Sequence, residues 1–132
     1  MIEIERISDT NLIKQIIEIF SEDFTPALIP RIGNLEDYSK KLSQFGNVYV
    51  AQENGKYLGY ISFYANDLIS KCAYITQLAV KKHDRNKGVG SLLINCCIQF
   101  VKSSGLRLIR LEVRKHNNNA IHFYESFGFN YS

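Results

Sequence analysis

The stretch from Tyr74 to Val113 constrains the fold more than any other. Tyr74–Val80 is an apolar run of strand length. A short basic turn follows, Arg85-Asn86-Lys87-Gly88-Val89-Gly90, and then apolar residues at positions 89, 92, 93, 96, 97, 100 and 101. That i, i+3, i+4 stripe predicts a helix with one side against a core. Gly105 closes the helix as a C-cap, and Leu106–Val113 reads as a second strand. A strand, a long helical crossover and another strand require a parallel pair, connected right-handedly. The strand ends at Val80 and Val113 are then expected side by side, with the glycine turn directly beyond the first. Ligands of open α/β sheets lie beyond such strand ends.

The rest of the chain fits around this unit. Ile2–Ile7 alternates and reads as a strand. Asp9 or Thr10 can cap a helix from Asn11 to about Asp23, Thr25–Arg31 holds both prolines and reads as a loop, and Asn34 can cap a helix over Leu35–Phe45. Val48–Gln52 and Lys56–Ala65 flank Asn54-Gly55, a strong hairpin signal, and Lys71–Val80 follows as the next strand. Asn117 or Asn118 caps a last helix to about Phe127, ended by Gly128. The predicted order is β-α-α-β-β-β-α-β-α, a mixed α/β fold in one domain over residues 1–132.

The basic turn carries the chemistry. A helix N-terminus has unpaired N–H groups and a partial positive charge, which suit phosphate. Glycine lets the main chain approach an anion closely, and Arg85 and Lys87 bring full charges. The expected occupant is a phosphorylated ligand; the alternative is a basic surface turn before an ordinary helix. The turn is neither a Walker loop nor a dinucleotide fingerprint, for it lacks the Gly-Lys-Ser/Thr of the one and the third glycine of the other.

Composition excludes several classes. Apolar content of 45% and charged content of 22% are ordinary for a globular protein. The acids in Met1-Ile2-Glu3-Ile4-Glu5-Arg6 argue against a signal peptide, and no apolar run has membrane-spanning length. Cys72, Cys96 and Cys97 fit no metal spacing; Cys96 and Cys97 are expected as buried free thiols, which suits a reducing cytoplasm. Charge divides unevenly: residues 1–67 hold ten acids and six bases, residues 68–132 three acids and ten bases. The basic half favours an anionic ligand, but no aromatics interleave with its bases as nucleic-acid binding would want.

Gln77-Leu78-Ala79-Val80, Arg85-x-x-Gly88-x-Gly90, Leu111-Glu112-Val113-Arg114 and Asn117-x-x-Ala120-x-x-Phe123-Tyr124-Glu125-x-x-Gly128-Phe129 follow one another in this order. This series, over residues 74–129, resembles the GNAT superfamily of acetyl-CoA-dependent N-acetyltransferases. Leu111–Arg114, with Tyr124 twelve residues after Glu112, looks most like the bacterial branch that acetylates ribosomal-protein N-termini. The resemblance implies a twisted central sheet flanked by helices, with acetyl-CoA as donor, an amine as acceptor (a protein N-terminus or a small amine such as an amino sugar), and no metal. It implies that the main chain of Leu78, Ala79 and Val80 binds the pantetheine arm. The amides of Arg85, Asn86, Lys87, Gly88, Val89, Gly90 and Ser91 would cradle the pyrophosphate, and Asn117 would contact the cofactor arm. Tyr124 would protonate the leaving thiolate, and Glu112 would act as general base. Such domains continue with strands that this sequence does not reach after Gly128, so an open sheet edge, or one covered by a second copy of the chain, is expected.

Each role has a plainer counterpart. Tyr124 shares its helix with Phe123 and Phe127 and can be core. Glu112 has the parity of Arg110 and Arg114 and can be a solvated charge. Asn117 can be a helix cap alone. The aromatics Tyr57, Tyr60, Phe63 and Tyr64 can line an acceptor groove or fill the sheet core. Gln77 stands where relatives often carry an acid and cannot act as a base. The other class of function is a coenzyme A-binding module without catalysis.

Overall fold

Five strands form one sheet in their chain order: β1 (Glu3–Ile7), β2 (Gly46–Glu53), β3 (Lys56–Asp67), β4 (Cys72–Val80) and β5 (Leu108–Arg110). The first four pair antiparallel, and β4 and β5 pair parallel. The helices are α1 (Thr10–Phe20), α2 (Ile29–Ile32), α3 (Leu35–Phe45), α4 (Val89–Ser103) and α5 (Asn118–Glu125). The structure, a computed structural model, describes residues 1–24 and 27–130.

Most elements form where the side chains direct. Asp9 caps α1 by accepting from the Leu12 N–H at 2.9 Å, and Asn34 caps α3 by accepting from the Asp37 N–H at 3.0 Å. Asn54 and Gly55 both have positive φ, 53° and 78°, as a tight hairpin turn requires. Two apolar cores sandwich the sheet. Ile61, Phe63, Ala73 and Ile75 pack with Val89, Leu93, Cys97 and Val101 of α4. On the other face Val48, Val50 and Tyr60 pack with Ile13, Ile16, Ile17 and Phe20 of α1 and Leu42 of α3. Among the described residues, no helix is long and apolar enough to cross a membrane.

Four expectations are corrected. The predicted helix to Asp23 ends at Phe20 and tightens into a 3-10 turn over Ser21–Asp23. Within the predicted loop, Ile29–Ile32 is a short helix with proline in its first turn, where its missing N–H costs nothing; the loop's Thr25 and Pro26 lie outside the described residues. Cys96 is only half-buried, because the face of α4 that meets the sheet runs through Leu93, Cys97 and Val101. The last strand is three residues long rather than Leu106–Val113, and Leu111–Arg114 is irregular. Its pairing with β4 stops at Tyr74↔Arg110, so Val80 and Val113 are not ladder partners.

The reason lies in β4. Ser62 pairs with Gln77 and Phe63 with Ile75, which leaves Thr76 as an extra residue in β4. Such a bulge bends and twists its strand and reverses the alternation of side chains. Ala73 and Ile75 belong to the α4 core before it; Leu78 and Val80 pack on that core after it, while Ala79 joins the α1–α3 core. β4 therefore leaves β5 and opens a wedge along its last residues.

Gly59, opposite Val80 on β3, sets how closely α4 approaches this wedge. A β-carbon there would stand 2.6 Å from the Ala79 carbonyl oxygen and 3.2 Å from Val89 and Leu93. Gly59→Ala is expected to lower the unfolding free energy by about 1–3 kcal/mol, the usual range for overpacking. Urea denaturation measures it, and an unchanged midpoint would show that β3 and α4 yield freely.

Burial also holds several tyrosines in the neutral form. Tyr60, fully buried, has its phenol pushed well above 10. Burial pushes Tyr64 and Tyr124 up to about 12. A phenol whose folded pKa is raised contributes stability in full below its unfolded pKa, and that stability is lost as pH rises through the folded value. Stability is thus expected to fall steadily between about pH 10, the free phenol value, and pH 12. Denaturant midpoints through that window, followed alongside phenolate absorbance, check this; a flat profile would contradict it.

Candidate cofactor and acceptor site

β4 supplies one wall of the wedge. The Lys81 N–H donates to the Leu58 carbonyl at 2.9 Å, which continues the register Gly59↔Val80, Tyr60↔Ala79, Ile61↔Leu78. Alternate residues of an antiparallel strand turn their polar groups to the same side. Ala79 and Lys81 thus face β3, while Leu78 and Val80 turn their N–H and C=O groups into the wedge. The Val80 carbonyl there accepts from Arg85 Nε at 3.2 Å.

The turn beyond β4 leads straight into α4. Lys82–Asp84 form a 3-10 turn, and Asn86 and Gly88 follow in left-handed conformations, φ 68° and 85°. Gly88 is the N-cap of α4, and without a β-carbon it reaches this φ at no steric cost. Aspartate or asparagine side chains close the N-termini of α1, α3 and α5, whereas no side chain caps the fifteen-residue α4. The first-turn amides of Val89, Gly90 and Ser91 are thereby left to an outside acceptor. An anion fits this cradle on those grounds alone.

The full charges around it are arranged differently from the expectation. Arg85 is not a free cation over the cradle: besides Val80 it donates through Nη2 to the Asp23 carbonyl at 3.0 Å. Lys87 pairs with Asp84 at 3.1 Å and stays largely exposed. Lys81 donates to the Ile19 carbonyl at 2.7 Å and pairs with Asp23 at 3.0 Å. Arg85 and Lys81 thus fasten the turn to the end of α1, and attraction for an anion falls to main-chain amides, Lys82 and Lys87.

α5 closes over the start of α4. A β-carbon on Gly90 would stand 3.2 Å from the Phe123 ring and 3.9 Å from Val80, so Phe123, Gly90 and Val80 meet at one point. Tyr124 follows Phe123, partly buried, with its ring edge-on to Phe123 and Phe129 at 5.2 and 5.7 Å. Burial, then the nearby Cys97 thiol, pushes its phenol up to about 12. Asn117 caps α5 by accepting from the Ala120 N–H at 3.1 Å. Glu112 is exposed, as are Arg110 and Arg114, and its carboxylate lies beside the Tyr74 hydroxyl. Burial, then the Glu112 charge and hydrogen bond, raise the Tyr74 phenol, with Arg110 opposing.

Gln77 and Tyr60, both singled out in the sequence, join a polar cluster on the α3 side of the wedge whose other members, Tyr38, Ser62 and Thr76, sequence reading missed. Gln77, 5% exposed, accepts at Oε1 from Tyr60 Oη at 2.9 Å and from Ser62 Oγ at 3.3 Å. Its Nε2 donates to Tyr38 Oη on α3. Burial raises the Tyr38 phenol, while its hydrogen bonds with Thr76 and Gln77 hold it back. The Thr76 and Ser62 hydroxyls are 2.6 Å apart. Tyr64 and Tyr74 lie alongside and line a cleft of about 440 Å³ with Asn66, Asp67 and Arg110. A further sequence signal for this cluster is the polar pair Thr76-Gln77 interrupting an apolar strand. Among the described residues no group of three His, Cys, Asp or Glu side chains is placed to hold a metal.

Comparison with known proteins bears on this arrangement. Residues 13–129 match the Acetyltransferase (GNAT) family. An uncharacterized N-acetyltransferase of Methanocaldococcus jannaschii is 33% identical over 85 residues, which cover 61% of this chain and 38% of that protein. A putative ribosomal protein bS18-alanine N-acetyltransferase of Bacillus subtilis is 27% identical over 84 residues, covering 64% of this chain and 54% of that one. The chain thus spans only about 38% to 54% of the length of these curated relatives. Among solved structures, an aminoglycoside acetyltransferase from an uncultured soil metagenomic sample, in complex with sisomicin, superposes with a TM-score of 0.80. It is 26% identical, and the alignment covers 99% of this chain and 95% of that one. A match that runs from α1 past the end of α5, on a fold shared so fully, means that this chain belongs to the GNAT acetyltransferase family.

Proposed function

We propose that the protein moves the acetyl group of acetyl-CoA onto a primary amine. The observation that carries this reading is the junction of β4 and α4: strand polar groups face an open wedge, and the wedge ends at a helix N-terminus with no side-chain cap. In this reading the cofactor supplies the acyl thioester. Leu78 and Val80 hold its arm by main-chain hydrogen bonds, beside Ala79, and an N–H of this edge meets the oxygen that becomes negative as the amine adds. The amides from Arg85 to Ser91 take the pyrophosphate, and Asn117, at the head of α5, approaches the arm.

Tyr124 is the proposed proton donor to the departing thiolate. A phenol at about 12 giving its proton to a thiolate of about 8.5 is uphill by about 5 kcal/mol, not the 2 kcal/mol of an unperturbed tyrosine. The transfer must therefore accompany thiolate departure rather than precede it. Glu112 is the proposed base for the acceptor ammonium. Deprotonation at neutral pH costs about 1 kcal/mol for an α-amine of pKa about 8 and 4–5 for a lysine-type amine. An exposed carboxylate gives little of the larger sum, so α-amines and other low-pKa amines are the preferred acceptors. Peptide N-termini and amino sugars both qualify.

The test mixes the protein with acetyl-CoA and peptide, amino-sugar and polyamine acceptors and titrates the freed thiol. Release with peptide or amino-sugar amines is expected. Coenzyme A binding by calorimetry with no release from any amine would leave a binding module instead. Tyr124→Phe should lower kcat by roughly 10²–10³ with cofactor affinity little changed; an undiminished kcat removes Tyr124 from the chemistry. Glu112→Gln should lower kcat/KM for acceptor by at least about tenfold at pH 7, and should do so more for lysine-type than for α-amines. Equal losses for both would disqualify it as the base.

A further inference from the structure

On the basis of that acetyl-transfer reading, we infer that Gln77 is a positioning residue. It holds Tyr38 as a hydrogen-bond donor toward the acceptor, and the preferred acceptors carry an oxygen on the carbon next to the amine-bearing one. That N–C–C–O unit is common to the first residue of a peptide and to a vicinal amino sugar.

The inference follows from hydrogen-bond accounting at Gln77. Tyr60 has no exposed surface, and its hydroxyl proton goes to Gln77 Oε1 at 2.9 Å. Turning the amide over would set Nε2 against Tyr60 Oη, two donors facing each other, with no other partner for the Tyr60 proton among the described residues. Orphaning a buried donor is costly, so the network fixes the amide orientation. Gln77 Nε2 must then donate to Tyr38 Oη. A hydroxyl that accepts from an amide still has its own proton to give. Tyr38 is only partly buried and is placed on α3 beside the exposed Tyr74, and its hydroxyl also meets the Thr76 hydroxyl; in the inferred arrangement an acceptor oxygen takes the proton in place of Thr76. Gln77 immediately precedes Leu78, whose main chain turns into the wedge. In this reading the Tyr38 proton is offered on the acceptor side of the thioester. It suits an oxygen rather than the attacking nitrogen, whose lone pair must stay free.

Two kinds of measurement test this. In isotopically labelled protein, the Gln77 side-chain amide protons should show nuclear Overhauser contacts to the Tyr38 ring and not to the Tyr60 ring; the reverse pattern overturns the inference whether or not the protein turns over. In the thiol-release assay, Tyr38→Phe should lower kcat/KM for L-alaninamide or glucosamine about 3- to 10-fold. The loss should fall in acceptor KM, with acetyl-CoA KM unmoved, and selectivity over n-butylamine should shrink equally. Loss with only one of the two substrates tells which source of the oxygen is used. Gln77→Glu, with the introduced carboxyl ionised, has no donor, so Tyr38 turns its proton inward. The same loss should appear, and Tyr38→Phe should add nothing in that background. Additive losses, or none in either single variant, refute the positioning role. Absence of turnover with every amine would count against acetyl transfer itself, and the labelled-protein contacts would still decide the orientation.

Discussion

Thr76 has no partner in the β3–β4 ladder, and the arrangement of the site follows from that one unpaired residue. With unbroken alternation, Gln77 would share the face of Ala73 and Ile75 and bury an amide against Leu93 and Cys97 of an apolar core. That would cost several kcal/mol without hydrogen-bond partners. The extra residue turns Gln77 to the opposite face, where Tyr60, Ser62 and Tyr38 satisfy it. It also carries β4 away from β5 after Tyr74. A buried polar network and a free main-chain edge are thus consequences of one local defect in the sheet.

The charges near the turn have a mechanical role before any attractive one. Lys81 and Arg85 reach back to carbonyls of Ile19, Asp23 and Val80 and to the Asp23 carboxylate. Asp23 is mostly buried, 9% exposed in its side chain, so its pair with Lys81 is less screened than a surface pair. Lys81 also lies over the Phe20 ring at 4.8 Å. These contacts tie the end of α1 to the turn that opens α4. The two halves of the proposed site are therefore parts of one braced unit, and left-handed Asn86 and Gly88 leave the bracing to point main-chain N–H groups outward.

Much of this was readable from residues alone, and the failures have a common cause. α3 and α4 begin and end as read, since Asn34, Gly88 and Gly105 mark them locally. The turn between β2 and β3 follows from Asn54-Gly55 in the same way. What could not be read depends on partners distant in sequence. Leu106–Val113 has strand character throughout, yet only Leu108–Arg110 finds a neighbour, because β4 has turned away. Arg85 looked like a ligand for phosphate, and only the fold shows that it is spent on Asp23 and Val80. Tyr38 carried no signal at all: it is one aromatic on an amphipathic helix until Gln77 is placed beneath it. The motif residues Glu112 and Tyr124 were found by pattern, but their environments, one exposed and one enclosed by Phe123 and Phe129, came from tertiary packing.

That contrast in environment bears on how the chemistry divides. A phenol held near 12 is a poor acid but stays protonated at neutral pH, so in the proposed mechanism its proton would be available as thiolate charge develops. Glu112, the proposed base, is by contrast exposed. In the proposed mechanism neither group alone lowers a large barrier, and the main-chain donors of β4 would act on the charge that both steps share, the oxyanion. An arrangement of this kind is served best by a nucleophile that already arrives largely neutral. On the proposed mechanism the preference for low-pKa amines follows from the lack of a fully buried carboxylate or histidine beside the wedge among the described residues, and Gln77, the buried polar side chain of β4, is engaged by Tyr60, Ser62 and Tyr38.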